Sequence, residues 1–405
     1  PLAAPGKIKP MDNITAESLP LAEITEDEFQ TDEILTISGG HFLHDIYTGF
    51  LSPLLPVIIE KLSLSLTAAG SLNAILQLPA LLNPFIGYLA DQISLRYFII
   101  LAPAVTGTLI SLMGLAPSYL TLALILFMTG FSVAAFHAPA PAMIGRISGK
   151  QVGKGMSFFM AGGELARTVS PLIAVWAVSL WTIDGIYRMA VLGWATSLVL
   201  FWRLHSISAR PNLPGNIRSL IPVLRSVFPP LLVIIFFRNF LNVGLAIYLP
   251  TYMKFGGSSL WAAGAALSVY ELAGVAGALS SGTLSDRLGR KPVLSVGIVS
   301  AAALMLIFLN VEGWLIVPLL LALGFTALSI PPVLMAIVQE HLPNNRALGN
   351  GLFISISFLI RPISILFIGL IGDTYDLRTA YYLSAIISLL AIPAIFKIPN
   401  IKPEA

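Results

Sequence analysis

Gly282-Thr-Leu-Ser-Asp286-Arg287-Leu-Gly289-Arg290-Lys291-Pro-Val-Leu294 joins two long apolar runs. A fainter copy stands 195 positions earlier, as Gly87-Tyr-Leu-Ala-Asp91-Gln-Ile-Ser94-Leu-Arg96. Gly, Asp and one basic residue keep their places in both. Gly87 and Gly282 suit a helix end where a second backbone comes close. Asp91 and Asp286 can face the positive end of a neighbouring helix. Gly289 supplies a turn, and Arg96, Arg287, Arg290 and Lys291 hold their loops on the cytoplasmic side of a membrane. Together these nine residues are expected to act as a conformational gate.

The rest of the chain fits a membrane setting. Of 405 residues, 56% are hydrophobic and 11% charged, where soluble proteins carry about a quarter charged. The net charge of +3 does not describe a nucleic-acid surface, because the charges are segregated. Residues 1–33 hold eight carboxylates against Lys7 and Lys9, a composition expected to stay disordered and solvated. The remaining basic residues lie mostly in short loops between apolar runs. The chain has no cysteine, which excludes disulfides and thiolate metal sites. The N-terminal stretch shows no basic-then-apolar signal pattern.

Twelve apolar runs are long enough to span a bilayer, which takes roughly 17–25 residues. They fall near 34–60, 66–90, 97–116, 119–145, 154–180 and 185–204, then 226–252, 258–284, 292–310, 314–339, 347–372 and 380–397. The expected organisation is an acidic tail (1–33), a six-helix bundle (34–204), a polar linker (205–225), a second six-helix bundle (226–397) and a short C-terminal tail (398–405). Gly153-x-Gly155 recurs as Gly349-x-Gly351 at an interval of 196, close to that of the loop. Two matches at nearly one interval indicate an internal duplication. Placing both termini in the cytoplasm leaves four of the 23 basic residues outside (Lys61, Arg188, Lys254 and Arg378) and three within the membrane. That distribution obeys the positive-inside rule. The expected fold is therefore an all-α polytopic membrane protein of two pseudo-symmetric six-helix bundles, in the inner cell membrane.

Ionisable groups at membrane depth cost about 2.5–3.5 kcal/mol each on insertion scales. On the first helix, His41, His44, Asp45 and Thr48 stand three, four and seven apart and so share one face. His137 follows on the fourth helix, just before Pro139 and Pro141. Nearer the midplane come Glu164 and Arg167, then Arg238 with Asn239 and Asn242, then Glu271 and Arg361. Three histidines and an Asp on two helices are candidates for proton handling, with Glu164 and Glu271 as further carriers. Arg238, Arg361 and Arg167, with Asn239 and Asn242, are candidates for binding an anion, since a guanidinium fork matches carboxylate geometry. The alternative for Arg167 is a structural pair with Glu164 or Glu271. Pro331-Pro332 interrupt the tenth helix as Pro139 and Pro141 interrupt the fourth, and corresponding broken helices point to a transport site.

The loop signature resembles that of the major facilitator superfamily. A further set of motifs narrows the likeness to its fosmidomycin-resistance branch, over nearly all of the chain after residue 34. These are His41-x-x-His44-Asp45 with Leu54-Leu55-Pro56, Phe136-His137, Gly162-Gly163 and Gln339-Glu340-His-Leu-Pro343. By that resemblance His41, Asp45 and His137 match positions of the branch, and Arg238 stands where it has a basic residue. The chain departs from the branch at Ala138-Pro139-Ala140, where an acidic residue is expected, and in the first loop, which lacks the second Gly and one basic residue. The resemblance implies twelve helices and a central cavity open alternately to each side. The expected function is proton-coupled export of a small organic anion or drug by a monomer in the bilayer. No enzymatic activity, cofactor, metal or nucleic-acid partner is expected. ATP hydrolysis is not expected either, because no G-x-x-x-x-G-K-[ST] loop occurs. Uptake or exchange of an anionic or phosphorylated metabolite is the alternative within transport. A non-transporting membrane sensor or assembly factor is the alternative from another class.

Overall fold

A computed structural model describes residues 29–83, 85, 86, 89, 95–149, 151–205, 225–342 and 346–399, except the side chains at 152, 153, 346–348, 350 and 351. The described residues are helical throughout, with no strand among them. The first half comprises α1 (Thr31–Leu62), α2 (Leu66–Leu82), α3 (Arg96–Leu115), α4 (Tyr119–Ile147), α5 (Val152–Trp181) and α6 (Asp184–Leu204). The second comprises α7 (Phe228–Phe255), α8 (Leu260–Leu288), α9 (Arg290–Phe308), α10 (Gly313–His341), α11 (Arg346–Thr374) and α12 (Leu377–Lys397).

Ten of these helices are long and apolar enough to cross a bilayer. The other two fall short for separate reasons. The described part of α2 ends at Leu82, and α5 has thirty residues, about 45 Å, but carries Glu164 and Arg167 in its middle. Helix α1 starts at Thr31, inside the stretch expected to be tail, and Asp32 and Glu33 fall in its first turn, where the helix dipole favours acids. Of the expected linker only His205 and Arg225 are described, and Gly87 and Asp91 of the first loop lie outside the described residues.

Serine and aspartate start the helices on the side opposite the chain ends. Ser65, Ser118, Ser259 and Asp376 each accept a hydrogen bond from the third backbone N–H of the following helix, at Ala68, Thr121, Ala262 and Thr379. The duplication is visible here. Ser65 and Ser259 are 194 positions apart, as are the left-handed residues Ser63 (φ 50°) and Gly257 (φ 90°) that end α1 and α7. Neighbouring pairs repeat in the same way: α1 packs on α5, α3 on α4 and α6, and α2 on α4, while α7 packs on α11, α9 on α10 and α12, and α8 on α10.

The halves meet through α1 with α7, α2 with α11, and α5 with α8. On the side away from the chain ends they share one apolar core, which includes Leu55, Ala69, Ala174, Tyr248, Tyr270 and Ile368. Toward the chain ends the core divides. One part, around Ile37, Phe136, Ile144 and Phe159, belongs to the first half, and the other, around Leu231, Ile298, Leu334 and Ile395, belongs to the second.

A hydrogen-bonded latch reinforces the shared side. Asp373, near the end of α11, accepts from the first backbone N–H groups of α2, Leu66 N at 2.6 Å and Thr67 N at 2.8 Å. The Tyr248 hydroxyl of α7 donates to Leu66 O at 3.1 Å. A carboxylate on free N–H groups at a helix start is favoured by both charge and hydrogen bonding. Asp373→Asn keeps one acceptor and loses the charge, at a cost of about 1.5–3 kcal/mol. The expected outcome is a shift of about 10- to 100-fold toward the conformation open on this side. Thiol labelling at Ala69→Cys, a position buried in the shared core, checks it cleanly because the chain has no other cysteine. Labelling as slow as in the parent would show that the latch carries no weight.

Candidate functional site

Helix α1 presents His41, His44 and Asp45 on one face, as their spacing requires, and all three are buried. Glycines in α5 let α1 come this close. A Cβ at Gly162 would lie 2.5 Å from Ser38 O, and one at Gly163 would lie 2.6 Å from His41 Cε1. The His41 ring stacks on Phe159 of α5 with centroids 3.9 Å apart, and His44 stacks on Phe136 of α4 at 4.5 Å. Helix α4 breaks after His137, where Pro139 removes a backbone donor, and this places the His137 ring against the other two.

Asp45 is the hub. Its Oδ2 lies 3.2 Å from His41 Nε2, and its Oδ1 lies 2.9 Å from His44 Nδ1 and 3.1 Å from His137 Nε2. The outer partners of two rings determine where their protons sit. His41 Nδ1 lies 2.8 Å from Phe159 O, which can only accept, so Nδ1 carries a proton. His44 Nε2 lies 3.1 Å from the Thr106 hydroxyl, which gives its own proton to Ser132, and Ser132 in turn donates to Ala102 O. Nε2 of His44 is therefore the donor. Neutral rings would thus turn lone pairs, at His41 Nε2 and His44 Nδ1, toward an ionised Asp45. His41 Nε2 makes no hydrogen bond, but two lone pairs cannot share the 2.9 Å hydrogen bond between His44 Nδ1 and Asp45, so the cluster must hold at least one extra proton. The ligand atoms of His41, Asp45 and His137 lie within 4.8 Å of one another, a spacing that would also admit a small cation.

A second polar group crosses from one half to the other. Arg167 of α5 pairs with Glu164 one turn away, and its Nε lies 3.9 Å from Glu271 Oε2 of α8. Half of the Arg167 side chain is uncovered by protein although it stands mid-helix. Arg361 of α11 is within electrostatic reach of Glu271, Arg167 and Tyr270, and its Nε has no hydrogen-bond partner. Asp45 is in turn within reach of Arg167, which places the two groups in one field.

Arg238 and Asn242 reach this chain of charges through Arg361 and Tyr270. Both line a small cavity inside the second half, with Ile298 of α9, Ala327 of α10 and Ser388 of α12. Arg238 is 8% exposed, and Asn242 accepts a 2.9 Å hydrogen bond from Tyr270. Asn239 is buried with its Nδ2 unpartnered.

The second-half loop matches its sequence reading only in part. Gly289 turns the chain at φ 92°, but Gly282 lies inside α8 with no atom within 4 Å of a Cβ built there, and Asp286 pairs with Arg290 at 2.6 Å on its own loop instead of facing the start of a neighbouring helix. Arg290 also binds Glu340 of α10 through Nη2 at 2.6 Å and Nε at 3.1 Å, tying the loop to the end of that helix. Arg287 is exposed, and Arg96 starts α3 with its guanidinium 5.2 Å from the Tyr97 ring. Sequence reasoning missed Phe159, Thr106, Ser132 and Asp373. The hydroxyls in otherwise apolar helices were the available signal for two of them.

Comparison with known proteins agrees with this architecture. The sequence profile of the Major Facilitator Superfamily matches residues 37–361 and 257–405. The Fosmidomycin resistance protein of Escherichia coli (strain K12) is 25% identical over 370 residues, covering 89% of this chain and 91% of that protein. A bacterial homologue of the human lysosomal transporter Spinster, solved inward-facing and unoccupied, superposes with a TM-score of 0.76 at 15% identity, covering 91% and 98% of the two chains. The D-xylose-proton symporter superposes at 0.73 with 16% identity, covering 92% and 98%. Twelve helices in two matched halves, a loop of the signature type and a profile match over most of the chain make this a multi-pass membrane protein of the Major Facilitator Superfamily, a transporter and not an enzyme.

Proposed function

We infer that this transporter exports a small organic anion in exchange for protons, by alternating access. The observation that carries the reading is Asp45 facing three imidazoles, where His44 Nδ1 can bond to it only through an additional proton. A site that must hold a proton when dry, and can release it when water enters, is the element that proton coupling requires. Arg361 is the group best placed to receive the anion, because its guanidinium lies at the interface of the halves with a free donor. Arg167 is committed to Glu164 and Glu271 and serves as the tie between halves. Cytoplasmic chain ends, together with the core divided on that side, support reading this conformation as inward-facing. The resistance named for the Escherichia coli relative favours export over uptake.

Reconstituted vesicles test the reading. An anion that raises the melting point of the purified protein should accumulate when a pH gradient is imposed, and a protonophore should abolish the accumulation. Accumulation indifferent to the protonophore would remove proton coupling, and stabilisation by cations alone would remove the anion.

A further inference from the structure

We propose that the cavity enclosed by α7, α9, α10 and α12 beside Arg238 is a binding site for a small inorganic anion of the chloride class, separate from the transported substrate. All the helices that line it belong to the second half, so it does not lie on the path between the halves.

A guanidinium stays charged in any protein environment, and a buried charge without a partner is costly. Arg238 is 92% buried, and its Nε and Nη1 have no hydrogen-bond partner. Its nearest charged neighbour is Arg361, a second cation, and the other polar group in reach, Tyr270, gives its proton to Asn242. Ser388 at the cavity wall spends its own proton on Ala385 O, so the donors at the cavity wall are those of Arg238 and the Asn242 amide. The described residues supply no carboxylate to Arg238. In contrast, Arg167 has Glu164 and Glu271.

The duplication explains how the space arises. Arg238 follows His44 by 194 positions, the interval that separates the paired caps Ser65 and Ser259. In the first half His44 is answered by Thr106 of α3, whose hydroxyl is answered by Ser132 of α4. Around Arg238 the cavity wall on α9 and α10 is formed by Ile298, Ala301, Ala327 and Ile330, none of which offers a hydroxyl. The space left holds about one water-sized body, which favours a monatomic anion over a phosphate, a sulfate or an organic anion.

Thermal unfolding of the purified full-length protein decides the matter. Chloride or bromide replaces gluconate at constant ionic strength, with no transported anion present. Wild-type protein should gain about 3 °C or more at saturation, and sulfate should give no gain. Arg238→Gln should lose the halide response, and Arg361→Gln should keep it, which separates this site from the substrate reading. Ala301→Thr with Ala327→Ser fills the space while leaving Arg238 in place, and it should also lose the response. That double variant decides if Arg238→Gln does not fold. Wild-type melting indifferent to halide overturns the proposal, as does a halide response that survives the filled cavity.

Discussion

Asp45→Asn should reduce gradient-driven accumulation to the level of protein-free vesicles while leaving the protein folded and able to bind. The reason lies in the proton inventory of the cluster. In the wild type, the hydrogen bond between Asp45 and His44 Nδ1 needs an added proton, because that nitrogen offers a lone pair when its ring is neutral. An Asn side chain with its amide nitrogen in the place of Oδ1 can donate to His44 Nδ1 and to His137 Nε2 without any proton from solution. The packing of His41 on Phe159 and of His44 on Phe136 is unaffected by this exchange. Binding of the transported anion should therefore stay within about threefold, less than 1 kcal/mol. Exchange at equal pH on both sides should persist, because it moves no net proton. The measurement is uptake into vesicles with and without a pH gradient, alongside the melting temperature. If the variant still concentrates the anion at the parental rate, the proton is carried elsewhere, and Glu164 and Glu271 become the groups to test.

Arg361→Gln should weaken binding of the transported anion about 10- to 100-fold, since a hydrogen bond to a charged group contributes about 1.5–3 kcal/mol. Arg361→Lys should fall between the two, because it restores the charge but not the planar fork. Arg361 also lies in the field of Glu271, so Gln removes part of what balances that carboxylate. Arg167 remains as its other partner, 3.9 Å away, and the fold should survive. Titration calorimetry of the detergent-solubilised variants separates a binding defect from a folding defect. Equal affinity in all three proteins would take Arg361 out of the binding site.

Much of this protein is fixed locally. Lipid requires each crossing segment to satisfy its own backbone hydrogen bonds, so the apolar runs alone mark helices, and twelve helical segments occupy the ranges read from the sequence. The breaks are local too. Pro139 ends the first segment of α4 at His137, and Pro331 with Pro332 restarts α10 after Ser329. The shared face of His41, His44 and Asp45 follows from helical spacing alone. What an isolated helix does not carry is its rotation about its own axis relative to its neighbours. Packing against α9, α10 and α12 gives Arg238 and Asn242 a small cavity inside the second bundle, which helical spacing alone does not show. Packing likewise brings Phe159 O to His41 and Thr106 to His44, and these contacts fix which ring nitrogens face Asp45. The latch from Asp373 to the start of α2 joins residues 307 positions apart. No local pattern encodes such a pair, because its stability comes from the two halves closing on each other.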